Sequence, residues 1–582
     1  MMNKAELNNP NFSSIIAEPV WDNEVQYFFD DQDYNCMMHA NNDVKNENAR
    51  TINLKSYSEV SGLSAKIYYY VYYQFMPMAK TKWNQNKLFS FRNWLTHGCP
   101  KDTTALEVFK SKQVAISKDT SLRHRKNIND IKGVEKENLL KAFQGIMDLP
   151  NDHPNSFCTL GGIHWYPGNT YCEHHIHPFL AWHRAYILQF ENALRSIKGC
   201  ENVTLPYWDI SDDKYPEIFS EGPFIASHPQ DKKPTPSTYK LPSKFIKDYP
   251  NEVKYGSLKA DGSIIRNNAK VYNENKWKYI RDATHDPTNI NKVYLDKIIQ
   301  LPSWNAFNGL NKSGNYVASE SLMHAHDMIH NSNGATTANQ DVTGFEPVFW
   351  LFHANWDRLM WQWQKLNHTT NVDDFKKNVK ACGDSTDWID GVGLNNLDPF
   401  TESLGLTVDK TINLNEMGIN YLESALPLTK PESFSTKEIS LHRSANKGQS
   451  NKSAFTVGNM SYVSLRVKDV DRLKIPGSFT VSLYLGGELL QTRFFLQATN
   501  PGNCANCVKQ ALVSFDFEIE NEKLQKADGK VKVEIQLSSE DKDGKRPIIP
   551  FKKIGSPTIN IRLILPIQLY LLSIRSSDVM SM

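Results

Sequence analysis

Two aromatic segments, each carrying a histidine with an arginine close behind, constrain this chain more than any other feature. The first is Cys172-Glu-His-His-Ile-His-Pro-Phe-Leu-Ala-Trp-His-Arg184, and the second is Phe349-Trp-Leu-Phe-His353-Ala-Asn-Trp-Asp-Arg358. Each has further histidines upstream: His164 and His174 before His183, His326 and His330 before His353. His326 and His330 stand at i and i+4, so on a helix their rings share one face and can converge on one ion. Three histidines with an open fourth position is the arrangement of a catalytic metal site. Two such triplets in one domain suggest a paired metal centre, and all-imidazole ligation suits copper among the redox metals.

A buried histidine taken alone is more often a satisfied core residue than a ligand. What lifts these six is that they come as two triplets, each ending on a Trp-containing helix. His153, His175, His177 and His324 read as residues behind the ligands or on the surface, because each face has room for one triplet. The run His326-Asp-Met-Ile-His330 also matches the His-x-x-x-His of zinc proteases, where the second position is a Glu acting as general base. Here that position is Asp327, one methylene shorter, and no third ligand follows at the usual spacing.

With 582 residues the chain can hold a large core and a second unit. A net charge of +2 points to no nucleic acid or anionic surface. An aromatic share of 11% fits a globular protein. The opening residues lack an apolar core of a secretory leader. No run reaches the roughly 18 apolar residues of a membrane span. The eight cysteines are scattered rather than arranged as a disulfide scaffold, so a reducing cytoplasm is the expected compartment.

Residues 1 to about 55 are rich in Asn and Asp and read as irregular, and Lys66 to Phe75 is dense in β-formers. The periodicity predicts helices over Leu122 to Met147, Pro178 to Ile197, Ser319 to His330 and Pro347 to Leu366. His164 and His174 flank the Pro167-Gly168 turn and read as loop residues, and Phe219 to Lys292, polar and rich in Pro and Lys, as surface loops. After about Tyr421 the period changes to two. Tyr462 to Lys468 alternates, and Phe479 to Phe495 reads as two strands around Gly486-Gly487. The expected fold is therefore α + β. A mainly helical domain, with a four-helix bundle around the histidines, precedes an antiparallel β-sandwich or barrel. The expected divisions are an N-terminal extension at 1–110, the metal-binding domain at 111–425, a polar linker at 426–454 and the β-domain at 455–582.

These residues resemble the type-3 copper proteins: tyrosinases, catechol oxidases and haemocyanins, and most of all the fungal tyrosinase proenzymes. The likeness spans roughly Val134 to Tyr421. Gly162-Ile-His164, Cys172-Glu-His174 and Trp182-His183-Arg184 look like the copper-A half. Ser321 to His330 and Phe345 to Arg358 look like the copper-B half, and Met417-Gly-Ile-Asn-Tyr421 like the element that closes the catalytic domain. The resemblance implies two copper ions that together bind dioxygen, copper A on His164, His174 and His183 and copper B on His326, His330 and His353. It also implies a thioether between Cys172 and His174. Departures are few: Phe352 stands where relatives usually have the first His of a pair, Glu346 replaces Asp before Pro347, and Asp327 stands where many tyrosinases have Asn. The gatekeeper position over copper A, thirteen before His353, is Gln340. Glu320 is the nearest candidate for a water-holding carboxylate, since the position three before His326 is Met323. With Asn331, the candidate catalytic residues are Asp327, Glu320 and Gln340.

In the β-domain, Cys504-Ala-Asn-Cys507 is a weak sign of metal or redox work, and its thiolates would favour Cu(I). Full-length fungal relatives carry such a motif, associated with copper delivery, and an aromatic plug from the same domain. Phe495 is the candidate plug, with Phe494 and Tyr484 as rivals. The resemblance thus implies a latent oxidase. Its partners would be O2 and a small phenolic substrate: o-diphenols would go to o-quinones, with monophenol ortho-hydroxylation as a further activity. An o-aminophenol oxidase and an O2 carrier are the alternatives that use the same ligands.

Overall fold

The computed structural model describes residues 3–39, 53–112, 122–164, 171–228, 239–280, 290–390, 397–422 and 462–563, apart from short stretches within 63–81, residues 528–530 and 540–545 and a few single positions. The 426–454 linker and the Pro167-Gly168 turn lie outside the described residues. Among the described residues no helix is long and apolar enough to cross a membrane.

The first hundred residues differ from expectation. They contain the helices Lys4–Asn8, Asp31–His39 and Gln85–Thr96, with Thr103–Lys112 just beyond, and within 65–75 the described Ile67 and Val71 are helical. A separate core of Phe12, Trp21, Val25, Phe28, Phe91 and Trp94 holds them. Aliphatics are sparse here, so periodicity is faint. A few large rings, each burying on the order of 150–250 Å², supply the driving force instead.

Five helices of the central region surround the histidines: α1 Gly133–Asp148, α2 Phe157–His164, α3 Phe179–Arg195, α4 Leu322–Asn333 and α5 Pro347–Leu366. The stretch before Gly133 is not α-helical: Arg123–Arg125 forms strand β1 and Ile128–Asp130 a single 3-10 turn. Helix α4 starts where the Ser321 hydroxyl accepts from the His324 N–H at 3.2 Å, and α5 starts at Pro347, whose missing N–H costs nothing in the first turn. Glu346, just ahead of α5, is fully buried against Arg266 and accepts from Asn333 at the end of α4. The 219–292 stretch is more ordered than its composition suggested. It contains helices Ser243–Asp248, Pro250–Lys254, Ala269–Ile280 and the start of Ile290–Ile299, with Phe245 and Tyr272 buried.

A buried charge network ties these elements together. Strand β1 pairs in parallel with β3, Ile419–Tyr421, so the two ends of the region meet. From β1, Arg125 reaches Glu191 of α3 at 2.7 Å and Asp357 of α5 at 3.3 Å. Arg184 of α3 binds the other oxygen of Asp357, and the Tyr421 hydroxyl donates to Asp357 at 2.6 Å. The arginines beside the two ligand motifs, read from sequence only as neighbours, are thus frame residues. Arg184 fixes α3 to α5, and Arg358 pairs with Asp209 at 2.8 Å.

The C-terminal strands are β4 Tyr462–Asp471, β5 Phe479–Leu485, β6 Glu488–Phe495, β7 Leu512–Glu520, β8 Val531–Leu537 and β9 Thr558–Leu563. Strands β6, β5 and β8 form one antiparallel sheet, with β5 and β6 joined at Gly486-Gly487, both at positive φ. The second sheet runs β2-β7-β4-β9, where β2 is Val317–Ala318. This edge strand comes from the central region, and it pairs with β7 in parallel. This corrects the purely antiparallel expectation. A two-residue strand has too few positions to show an alternating pattern.

Candidate dicopper site

The described residues hold two groups whose ligand atoms lie within 4.8 Å of one another: His164, Cys172, His174 and His183, and His326, His330 and His353. All seven side chains are buried. The groups face each other, with the His183 and His353 rings stacked 4.3 Å apart and His174 and His326 centred 5.7 Å apart.

His164 is the last residue of α2 rather than a loop residue. Gly161 and Gly162 hide that helix from a propensity reading, and Gly161 serves close approach. A Cβ there would stand 2.7 Å from the Phe345 ring and 2.9 Å from the Gly344 carbonyl. His174 lies in the described part of the connection to α3, His183 is on α3, His326 and His330 on α4, and His353 on α5.

Most of these rings are held from behind. Carbonyl oxygens can only accept, so a ring nitrogen bonded to one carries the proton. The Nδ1–H of His183 donates to Phe179 O at 2.9 Å, that of His330 to Thr337 O at 2.7 Å, and that of His164 to Gln340 O at 3.3 Å. His326 Nδ1 meets Asp327 Oδ1 at 2.9 Å. Such partners fix tautomer and ring direction and leave Nε2 with its lone pair for a metal. The Nε2 atoms of His326 and His330 then face each other at 2.9 Å, an arrangement that calls for a cation between two lone pairs. The Nε2 of His164 and both ring nitrogens of His353 are buried without a partner. Burial lowers the pKa of all six histidines, to about 3 for His183 and His330. Neutral imidazole is the ligating form. A donor set of imidazoles with orphaned buried nitrogens fits two copper ions, one for each group.

The other candidate residues fall into different roles. Asp327 is completely buried, and burial raises its pKa, opposed by His175. Its oxygens are committed to His326 Nδ1, to His175 Nε2 at 2.9 Å and to the Leu496 N–H at 3.1 Å. It is therefore a holder of histidines, unlike the free general base of a zinc protease. Gln340, expected as a gate, contacts two of the histidines: its backbone carbonyl accepts from His164 Nδ1–H and its side-chain amide contacts His174 Nδ1. Glu320 pairs with Lys297 instead of turning to a ligand, because a lysine on the neighbouring helix competes for it. Asn331 donates to the Asp327 carbonyl at 2.7 Å, a local helix bond. Cys172 Sγ lies 3.7 and 3.9 Å from the two nitrogens of His174 and 3.8 Å from His183 Nε2.

In the C-terminal unit, Phe495 is fully buried, and its ring lies on His175 rather than over any of the six ligand rings. Phe494 places its ring 6.1 Å from His324, and Tyr484 sits under Lys532. Cys507 is buried and disulfide-bonded, so it offers no free thiolate; Cys504 lies outside the described residues. His153 accepts a backbone N–H, and His177 stacks on Trp388. His324 bonds the Tyr294 hydroxyl at 2.7 Å. The residue that sequence reasoning undervalued is His175, whose backbone is left-handed at φ 64°, a conformation rare outside glycine although His, Asn and Asp enter it more readily than other residues.

The family model for the common central domain of tyrosinase matches residues 154–366. A tyrosinase of Hahella sp. is 26% identical over 319 residues, 40% of this chain and 58% of that protein, so the chain spans under two thirds of it. A tyrosinase of Aspergillus oryzae is 22% identical over 487 residues, 66% of this chain and 86% of that one. The structure of a recombinant mushroom tyrosinase matches with a TM-score of 0.50 at 15% identity, covering 76% of this chain and 92% of that one, a likeness of fold. The match over 154–366 encloses both histidine groups, so this part of the chain is similar to the common central domain of tyrosinase.

Proposed function

We propose that this chain is an oxidase that uses O2 to convert o-diphenols to o-quinones, kept latent by its C-terminal unit. The observation that carries the reading is the pair of buried three-histidine groups facing each other across 4.3 Å. Two diphenols would each lose two electrons and two protons, and O2 would leave as two waters. A copper pair supplies the Lewis acidity and the electron capacity for that exchange. The chain's own residues supply placement. Thr337, Phe179 and Gln340 carbonyls set three of the rings, and Asp327 sets a fourth.

Latency is supported by where the C-terminal unit docks. The N–H groups of Phe494 and Leu496 bond His324 and Asp327 on α4, on either side of His326. Thr499 donates to Asp341 at the other end of the same contact.

The test is copper content per chain with O2 uptake on catechol, on a monophenol and on an o-aminophenol, before and after cleavage within 426–454. Two coppers with catechol turnover that rises on cleavage supports the reading. Two coppers and reversible O2 uptake without turnover on any substrate would replace it with an O2 carrier. Turnover confined to the aminophenol would replace the substrate class.

A further inference from the structure

His175 follows the ligand His174 and occupies backbone space that a side chain normally avoids, with φ 64°. Such residues cost of order 1–3 kcal/mol and persist only where their surroundings over-determine them. Three contacts do so here. The Nε2 of His175 binds Asp327 Oδ2 at 2.9 Å. The Tyr316 ring stacks against its ring at 4.3 Å and 27°, and the Phe495 ring at 4.5 Å and 26°. Only 1% of His175 is exposed.

The contacts come from different parts of the molecule. Tyr316 belongs to the central region, next to β2, and Asp327 to α4. Phe495 ends β6 of the C-terminal unit, where Phe479 and Phe515 pack against it and the Arg472 guanidinium lies 4.5 Å from its ring centre. The same Asp327 oxygen that holds His175 accepts the Leu496 N–H, and its other oxygen holds His326. One carboxylate thereby joins the segment bearing His174, a histidine of the second group and the C-terminal strand.

We propose that His175 is a positioning residue that locks the His174 segment, and that the C-terminal unit closes this lock through Phe495 and the Leu496 N–H. That unit is then a structural part of the first histidine group as well as a cover. Displacing it would remove one aromatic face of His175 and one donor of Asp327, leaving the strained backbone with fewer restraints. Release would loosen His174 selectively, and the first group would hold its copper less firmly than the second. The copper half of this argument rests on the dicopper reading; the lock itself does not.

The experiment uses the uncleaved chain and two variants: Phe495→Leu, which removes the stacking ring, and His175→Asn, which tolerates the left-handed backbone but removes the ring and its reach to Asp327. Hydrogen exchange in the metal-free protein is followed in peptides covering 171–176 and 326–331. Copper loss to a chelator is followed in the loaded protein. The expected result is exchange about tenfold faster in 171–176 for both variants, little change in 326–331, and one of two coppers leaving about tenfold faster. Restoring a ring with Phe495→Tyr should return both readouts towards the parent values. Unchanged exchange in 171–176, or faster exchange everywhere, overturns the lock, since the latter marks general loosening. If the parent chain takes up no copper, the dicopper reading fails, while exchange in 171–176 still decides the lock.

Discussion

Replacing Gly161 by Ala sets two opposing effects of known size against each other. Within a helix, Gly→Ala normally stabilises by about 1 kcal/mol, through helix propensity. At Gly161 the new Cβ would stand 2.7 and 3.0 Å from two Phe345 ring carbons and 2.9 Å from the Gly344 oxygen. Carbon pairs settle at about 3.5–4.0 Å, so α2 would have to retreat by roughly 0.8 Å. The neighbour cannot yield easily, because the approach is reciprocal: a Cβ on Gly344 would lie 2.6 Å from the Gly161 oxygen. Overpacking of this kind costs about 1–3 kcal/mol, which outweighs the propensity gain. The retreat would also stretch the bond from His164 Nδ1 to Gln340 O, already 3.3 Å long, beyond hydrogen-bond range. Gly161→Ala should therefore lower the Tm of the metal-free protein by up to about 4 °C and reduce copper retention at the His164 group. The assay is a thermal melt with and without copper, beside copper content after dialysis. A Tm equal to or above that of the parent, with two coppers retained, would refute the close-approach argument.

Three further outcomes follow from other parts of the molecule. Asp357→Asn should destabilise by about 3–5 kcal/mol in denaturant unfolding, because Arg184 and Arg125 are fully buried and Arg184 would keep only neutral partners; a loss below about 1 kcal/mol would contradict the network. Burial, and for Glu252 the charge of Asp341, raise the pKa of both carboxyls where Thr499 docks. Stability from groups raised in this way is complete below the ordinary carboxylate value of about 4 and lost as pH climbs through the raised values. Melts should thus weaken from about pH 5 to pH 9, and Glu252→Gln should flatten that slope. His353→Ala should reduce bound copper from two per chain to one, read by atomic absorption; two retained coppers would remove His353 from the ligands.

The histidine groups were legible because metal chemistry leaves little freedom in residue type or spacing: His326 and His330 sit one turn apart, and His183 and His353 end similar aromatic runs. Helix α5 showed its bounds because Pro347 opens it and its pattern is strong. Three things were hidden, each for a physical reason. The N-terminal core depends on a few rings among many Asn and Asp, so no period emerges. The helix ending at His164 runs through two glycines, and one of them, Gly161, is there for contact with Gly344, which is far away in sequence. The partners of His175 lie 141 to 320 residues away, at Tyr316, Asp327 and Phe495, and no local pattern announces them.

Strand β2 has a consequence for any attempt to split the molecule. Val317 and Ala318, from the central region, are paired edge to edge with Ser514 and Phe515. A protease that cuts within 426–454 severs the peptide connection but leaves this shared sheet, the Phe495 contact and the Thr499 bonds in place. The nicked protein should run as two bands on a denaturing gel and still elute as one species from a sizing column. Cutting and parting are then separate events, and under the proposed latency the second would set how quickly the histidines meet solvent. The rate of activation would follow the dissociation of two fragments, and would be first order in nicked protein, whatever the amount of protease.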